Sequence, residues 1–202
     1  MTVMSIFFLT FASKLRERGL SRPYKCYKKM RYGIIGTGAI GGYYGARLAW
    51  SGQEVHFLLR SDYEYVKEHG LQVDSCNGSF HLEHPHVYHS TADMPSCDVL
   101  LVCLKTTNNN RLTELLPPLL SREPAGKMPL VVLIQNGIGV EEDVQRMFPD
   151  LPLVAGLAFI CSAKTKPGHV DHQCYGQINL GNYSCRDEAL IKQGVDDFNA
   201  AD

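Results

Sequence analysis

The stretch Gly36-Thr37-Gly38-Ala39-Ile40-Gly41 has the residue types and spacing to hold a diphosphate. An apolar run, Tyr32 to Ile35, precedes it and a helical pattern follows, which is the setting that chemistry needs. Gly36 permits a tight turn, Gly38 has no Cβ to obstruct a ligand, and Gly41 lets helix and strand approach closely. An anion there meets unpaired N–H groups and the positive dipole end of a helix beginning near Ala39. The competing reading is a glycine turn with no ligand, and the strand before and helix after weigh against it.

The end of the second apolar run selects between dinucleotides. A carboxylate about 20 residues past the first glycines would accept a hydrogen bond from the 2′-hydroxyl of NAD. Leu59, Arg60 and Ser61 stand there instead. The Arg60 guanidinium can pair with a 2′-phosphate through two N–H groups, which favours NADP (NADPH). Asp62 is the rival acceptor and keeps NAD open, unless it is only a charge at the start of the next helix. Two further apolar runs end in polar groups, Lys105-Thr106 after CDVLLVCL and Gln135-Asn136-Gly137 after VVLI. Ligands of a wound sheet lie across the carboxyl ends of its strands, so Lys105 and Asn136 should reach the crevice where nicotinamide ribose and a small anionic substrate meet. Each alone reads as a solvated lysine or an Asn-Gly turn; together, beside a dinucleotide loop, they are harder to dismiss.

The histidines of HLEHPHVYH suggest a metal, but on an extended chain His84 and His86 share one face while His81 and His89 share the other, so no metal site is expected. His169 and His172 likewise point to opposite sides of a strand. Cysteines 26, 76, 97, 103, 161, 174 and 185 contain no CxxC pair, which indicates neither a zinc site nor a disulfide framework and suits a reducing cytoplasm.

The elements that must position these groups alternate strand and helix from Arg31 onward. After the glycines a helix with Ile40, Tyr44 and Leu48 on one stripe runs to Ser51-Gly52. EVHFLL (54–59) is the second strand, and Ser61 is expected to cap a short helix through His69. LQVDS and SFHLE flank Cys76-Asn77-Gly78, a hairpin signal. CDVLLVCLK (97–105) is a buried strand, followed by a helix that Pro117-Pro118 should end near Leu116. PLVVLI (129–134) is a strand, VEEDVQRMF (140–148) a helix and PLVAGLAFI (152–160) a strand. GHVDHQ and GQINLG suggest an antiparallel pair, and a helix begins at Asp187. The expectation is a doubly wound, mostly parallel α/β sheet of Rossmann type with a short antiparallel extension.

The chain has 202 residues, 45% hydrophobic and 20% charged, with a net charge of −1. Residues 1–31 hold eight Lys or Arg against Glu17 alone, so that segment is +7 and the remainder −8. A basic stretch of this kind suits nucleic acid or an anionic membrane, but it lies outside the expected fold, and neither partner is expected. The apolar run at residues 3–12 is too short to span a bilayer, and its positive charges follow it rather than precede it. Residues 1–29 thus read as a basic leader outside the fold. A mitochondrial-type presequence and a translation start at Met30 are the two readings, the second preferred. Residues 30–183 form the nucleotide-binding domain, and residues 184–202 start a helix leading elsewhere.

From Met30 onward the chain resembles the ketopantoate reductase (2-dehydropantoate 2-reductase) family. The resemblance is carried by GIIGTGAIGGYYGARLA, EVHFLLR, CDVLLVCLKT, LIQNGIG and GLAFICSAKTKPGHVDH, in that order and spacing. It implies that Gly36, Thr37, Gly38, Ala39, Ile40 and Gly41 hold the pyrophosphate, Arg60 the 2′-phosphate, and Lys105 and Asn136 the cofactor ribose and substrate, with Asn136 touching the substrate itself. It implies NADPH-dependent reduction of ketopantoate to pantoate. The family's proton-donating lysine belongs to a second, helical domain expected beyond Asp202, so no catalytic residue is assigned within this chain. Lys164 and Lys166 fall on an expected loop, and Lys192 has Glu188 at i−4 as its expected partner. A coenzyme-binding or sensing module without catalysis, and a reductase of another 2-keto acid, stay open as alternatives. So does the oligomeric state, a homo-oligomer included.

Overall fold

Short runs of β-branched and leucine residues, bracketed by polar turns, build the centre of the molecule. The structure, a computed structural model, describes residues 29–121 and 127–201. The leader expected over 1–29 lies outside the described residues, Lys29 apart. In chain order the elements are β1 (Arg31–Ile35), α1 (Ala39–Trp50), β2 (Glu54–Leu58), α2 (Tyr63–His69), β3 (Leu71–Ser75), β4 (Phe80–Leu82) and β5 (His86–Tyr88). Then come β6 (Val99–Val102), a 3₁₀ segment (Thr106–Arg111), α3 (Leu112–Leu115), α4 (Pro117–Leu120), β7 (Leu130–Leu133), α5 (Val140–Met147), β8 (Leu153–Lys166), β9 (His169–Asn182) and α6 (Glu188–Ala200).

One nine-stranded sheet has the order β4-β3-β9-β8-β7-β6-β1-β2-β5. Its β5-β2-β1-β6-β7-β8 block is parallel throughout, the order of a Rossmann-type doubly wound sheet. β6 and β7 are buried at every residue, as parallel strands covered on both faces must be. One core, with Tyr32, Ile34, Tyr44, Phe57 and Val132, lies under α1. The other, with Ile35, Leu100, Leu112, Leu133 and Val144, lies under α3 to α5. The chain leaves β1 for β2 on one side and reaches β6 on the other, so a crevice opens at the carboxyl end of β1, where ligands of such sheets bind.

The antiparallel extension differs from its sequence reading. GHVDHQ and GQINLG belong to one strand, β9, whose partner is β8. β8 runs on to Lys166, so Lys164 and Lys166 lie in a strand rather than on a loop. β3 and β4 form the expected hairpin, and β3 joins β9 in parallel. Pro117 does not end the helical stretch: Leu116 N–H still bonds Leu112 O, and α4 starts with Pro117 in its first turn, where the missing N–H costs nothing. Ser61 does not cap α2; Asp62 occupies that position and Ser61 Oγ donates to its carboxylate at 2.8 Å.

α6 folds back onto the sheet. The Asp187 carboxylate accepts from Leu190 N at 3.0 Å and starts the helix. Phe198 then meets the edge of Tyr44 at 6.1 Å, and the Tyr32 hydroxyl donates to Asp197 Oδ2 at 2.7 Å. Burial raises the pKa of both Tyr32 and Asp197. Lys192 pairs with Asp196 at 2.6 Å instead of Glu188; both stand one turn away, and sequence spacing alone does not choose between them. No described helix is long and apolar enough to cross a membrane.

Candidate functional site

The chain turns at Gly36 with φ of 102°, a conformation that favours glycine. The Gly38 N–H donates back to Gly36 O at 2.9 Å. A Cβ on Gly41 would collide with that same Gly36 carbonyl, whereas a Cβ on Gly38 would meet nothing within 4 Å. Bareness at 41 thus lets α1 start against the turn, and bareness at 38 leaves open space. No side chain caps the start of α1 and no acid lies in its first turn, so the N–H groups of Ala39, Ile40 and Gly41 point out without an intrahelical acceptor. Thr37 Oγ1 donates to Leu58 O at 2.9 Å and ties the turn to the end of β2.

The turn lies between two lobes of a cleft, each of about 480 Å³, that share Cys103, Leu104 and Lys105. Volumes of that size suit a nucleotide-sized ligand. Gly36, Gly38, Arg60, Arg111 and Lys164 line one lobe. Ile40, Gln135, Asn136, Gly156 and Ile160 line the other. The structure therefore brings the glycine turn, Arg60 and Lys105 onto one lobe and Lys105 and Asn136 onto the other, with Lys105 on the wall common to both. Arg60, Lys105 and Asn136 are exposed. Among the described residues none of these three side chains, nor that of Arg111, has a hydrogen bond or ion pair.

Asp62 is only 4% exposed and fully engaged. Its carboxylate takes Ser61 Oγ at 2.8 Å, Gly168 N at 3.0 Å and Lys164 Nζ at 2.5 Å. Burial pushes its pKa up, but Lys164, the Gly168 N–H and Ser61 outweigh it and hold the group below the usual carboxylate range. The loop carrying Arg60 is thereby clamped to β8 and to the turn before β9. A depressed carboxylate contributes stability above its unfolded pKa and loses it as pH falls through the folded value. Asp62→Asn is expected to lower unfolding free energy by about 1–3 kcal/mol at neutral pH. In urea melts the gap to the parent chain should close below about pH 4; a gap unchanged there would show that charge is not what Asp62 contributes.

Residues 32–184 match the ketopantoate reductase PanE/ApbA family. The chain belongs to that family. It is 47% identical over 154 residues to a 2-dehydropantoate 2-reductase of Nostoc sp., a match covering 76% of this chain and 47% of that protein. Among solved structures it is similar to the 2-dehydropantoate 2-reductases of Geobacter metallireducens (40% identity, TM-score 0.77) and Methylococcus capsulatus (36%, TM-score 0.74). Each alignment covers 85% of this chain and, respectively, 56% and 55% of the other. The chain thus spans about half the length of the ketopantoate reductases it matches.

Several residues of this cleft escape a reading by motif. Arg111 reaches the Arg60 lobe from the last position of the 3₁₀ segment after β6, and no spacing rule marks it. Gln135 Nε2 donates to Leu104 O at 2.6 Å and Asn109 Oδ1 at 2.7 Å, bracing the ends of β6 and β7 against each other. Its Oε1 is buried from solvent and has no partner among the described residues. Burial pushes the Cys103 thiol up to about 12, so the sulfur shared by both lobes stays a neutral lining atom. The histidines separate. His81 on β4 bonds Gln72 Oε1 at one edge of the sheet, while His86 on β5 stacks on His56 at the other.

Proposed function

We propose that the chain is the coenzyme-binding half of an NADPH-dependent 2-dehydropantoate 2-reductase. The observation that carries this reading is the pair of adjoining lobes around an uncapped helix start, with a guanidinium in one, a carboxamide in the other and an ammonium on their common wall, none of them engaged by a described residue. The first-turn N–H groups of α1 would hold the pyrophosphate, with Thr37 fixing the turn that presents them. Arg60 would take the 2′-phosphate through paired N–H donors. Asp62 is a poor rival, because a buried carboxylate already holding three donors has little left for a ribose hydroxyl. The residues fit the coenzyme: the Gly38 position is clear, and the start of α1 carries neither a side-chain cap nor an acid that would compete with a diphosphate.

When bound, NADPH would supply the hydride that reduces the 2-keto carbon. The chain's own groups would orient and stabilise. Lys105 Nζ would offset negative charge on the ribose and keto-acid side of the lobe, and the Asn136 carboxamide would hydrogen-bond the keto acid beside it. Reduction also needs a proton on the developing alkoxide. Lys164 is committed to Asp62 and Lys105 is read as a binding group, so no described lysine is assigned that role; the family resemblance implies a donor in a second, helical domain. A cytoplasmic setting belongs to the same reading.

A second reading is a coenzyme-binding module without turnover, which needs only the glycine turn and Arg60. Titration calorimetry with NADPH and NADH, followed by ketopantoate-dependent NADPH oxidation with the purified chain, separates these. NADPH uptake is expected, weakened about tenfold in Lys105→Ala or Asn136→Ala, with keto-acid binding lost as well in Asn136→Ala. Uptake without oxidation would favour the module. Uptake of neither coenzyme by folded protein would remove both readings.

A further inference from the structure

On the solvent side of the long hairpin, Cys161 of β8 and Cys174 of β9 are direct cross-strand partners. Opposed residues of antiparallel strands have Cα atoms about 4.5 or about 5.5 Å apart, and both separations fall within the roughly 4.4–6.8 Å that a disulfide spans. Their side chains leave the same face of the sheet. The proximity of the Cys161 thiol, ahead of burial, pushes the Cys174 thiol up, with Cys76 contributing last.

The local backbone makes this pairing. Continued regularly from Phe159 opposite Gln177, the ladder would set Cys161 against Tyr175. The register slips between Phe159 and Ile160, and again between Cys161 and Ser162, so Ile160–Tyr175 and Cys161–Cys174 form a block of two pairs between irregularities. Gly176 beside the slip has φ of 114°, and Tyr175 has φ of 69°, the one positive value at a non-glycine residue among those described. A tyrosine in that region carries strain, and the slip it accompanies is what sets the two cysteines opposite each other on the ladder. Cys161 is exposed and Cys174 half-buried, whereas Cys97 and Cys185 are buried. Cys76 is the other exposed thiol nearby, its Sγ 3.9 Å from His172 Nδ1.

We propose that Cys161 and Cys174 are a reversible redox-modification site, oxidised by peroxide to a cross-strand disulfide and reopened by a thiol. The exposed Cys161, as thiolate, attacks the peroxide; an S–O bond forms, the O–O bond breaks, and the released hydroxide takes a proton to become water. Cys174 sulfur then attacks the Cys161 sulfenic acid; the S–S bond forms, the S–O bond breaks, and the second water carries away the Cys174 proton. Two thiols lose two electrons to one peroxide, and a dithiol reductant returns them.

The test is limited hydrogen peroxide on the reduced 202-residue chain, then alkylation of free thiols and digestion with trypsin and chymotrypsin, which parts Cys174 from Cys185. Non-reducing mass spectrometry should find the Cys161 and Cys174 peptides joined, lighter by two hydrogens, and separated again by dithiothreitol. Cys161→Ser, at an exposed position, should abolish the link with its melting temperature unchanged, while Cys76→Ser should leave the link intact. A Cys76–Cys174 link, or Cys161 driven to sulfinic acid with Cys174 still alkylatable, would overturn the proposal.

Discussion

Arg60→Ala is expected to weaken NADPH binding by roughly 10- to 100-fold while NADH binding changes by less than about threefold, since one charge-assisted pair is worth about 1.5–3 kcal/mol. Arg60 is exposed, and no described residue holds its guanidinium. Its removal therefore leaves no buried charge behind and should not alter the melting temperature. That separates it from Asp62 two residues later, whose loss unlocks Lys164 and Gly168. The neighbouring guanidinium of Arg111 sets the depth of the effect: Arg60→Ala/Arg111→Ala should lose more NADPH affinity than Arg60→Ala alone. Equal losses for the two coenzymes in calorimetry would detach Arg60 from the 2′-phosphate.

The second large effect separates two glycines of one motif. Gly41→Ala sets a methyl against the Gly36 carbonyl, with Ile34 Cγ2 only 3.0 Å away. Either α1 withdraws from β1 or the turn opens, at a cost of about 1–3 kcal/mol. Melting temperature and coenzyme affinity should fall together. Gly38→Ala meets no protein atom within 4 Å, and its φ of −92° is open to alanine. Its methyl instead projects where a diphosphate would lie, so affinity should drop at least tenfold with thermal stability unchanged. Native affinity in a folded Gly38→Ala chain would mean that the phosphates do not cross this position.

Local features of the site were legible in sequence because their causes are local. The glycine spacing, the strand before it and the polar strand ends at Lys105 and Asn136 all follow from short-range pattern, and so does the doubly wound order. What escaped depends on partners far along the chain. β8 looks finished at Ile160 because Ser162, Lys164 and Lys166 lack apolar character; β9 extends it by supplying a hydrogen-bond ladder opposite. β5 is three residues of HVY, too short for any period, and it exists because β2 presents an edge. The Asp62–Lys164 clamp joins residues on opposite sides of the chain's midpoint, which no motif encodes.

The position of β3 has a consequence for how the polypeptide is made. β3 pairs in parallel with β9, Gln72 meeting His169 and Ser75 meeting His172. During vectorial synthesis the β3–β4 hairpin must therefore leave the ribosome long before its docking edge exists. The central strands β1, β2 and β6 can assemble on a nascent chain, whereas that hairpin, though Trp50 of α1 already covers Phe80, waits with the β3 edge unpaired until translation has passed His172. Chaperone contact with ribosome-bound intermediates should accordingly concentrate on the unpaired strand Leu71–Ser75.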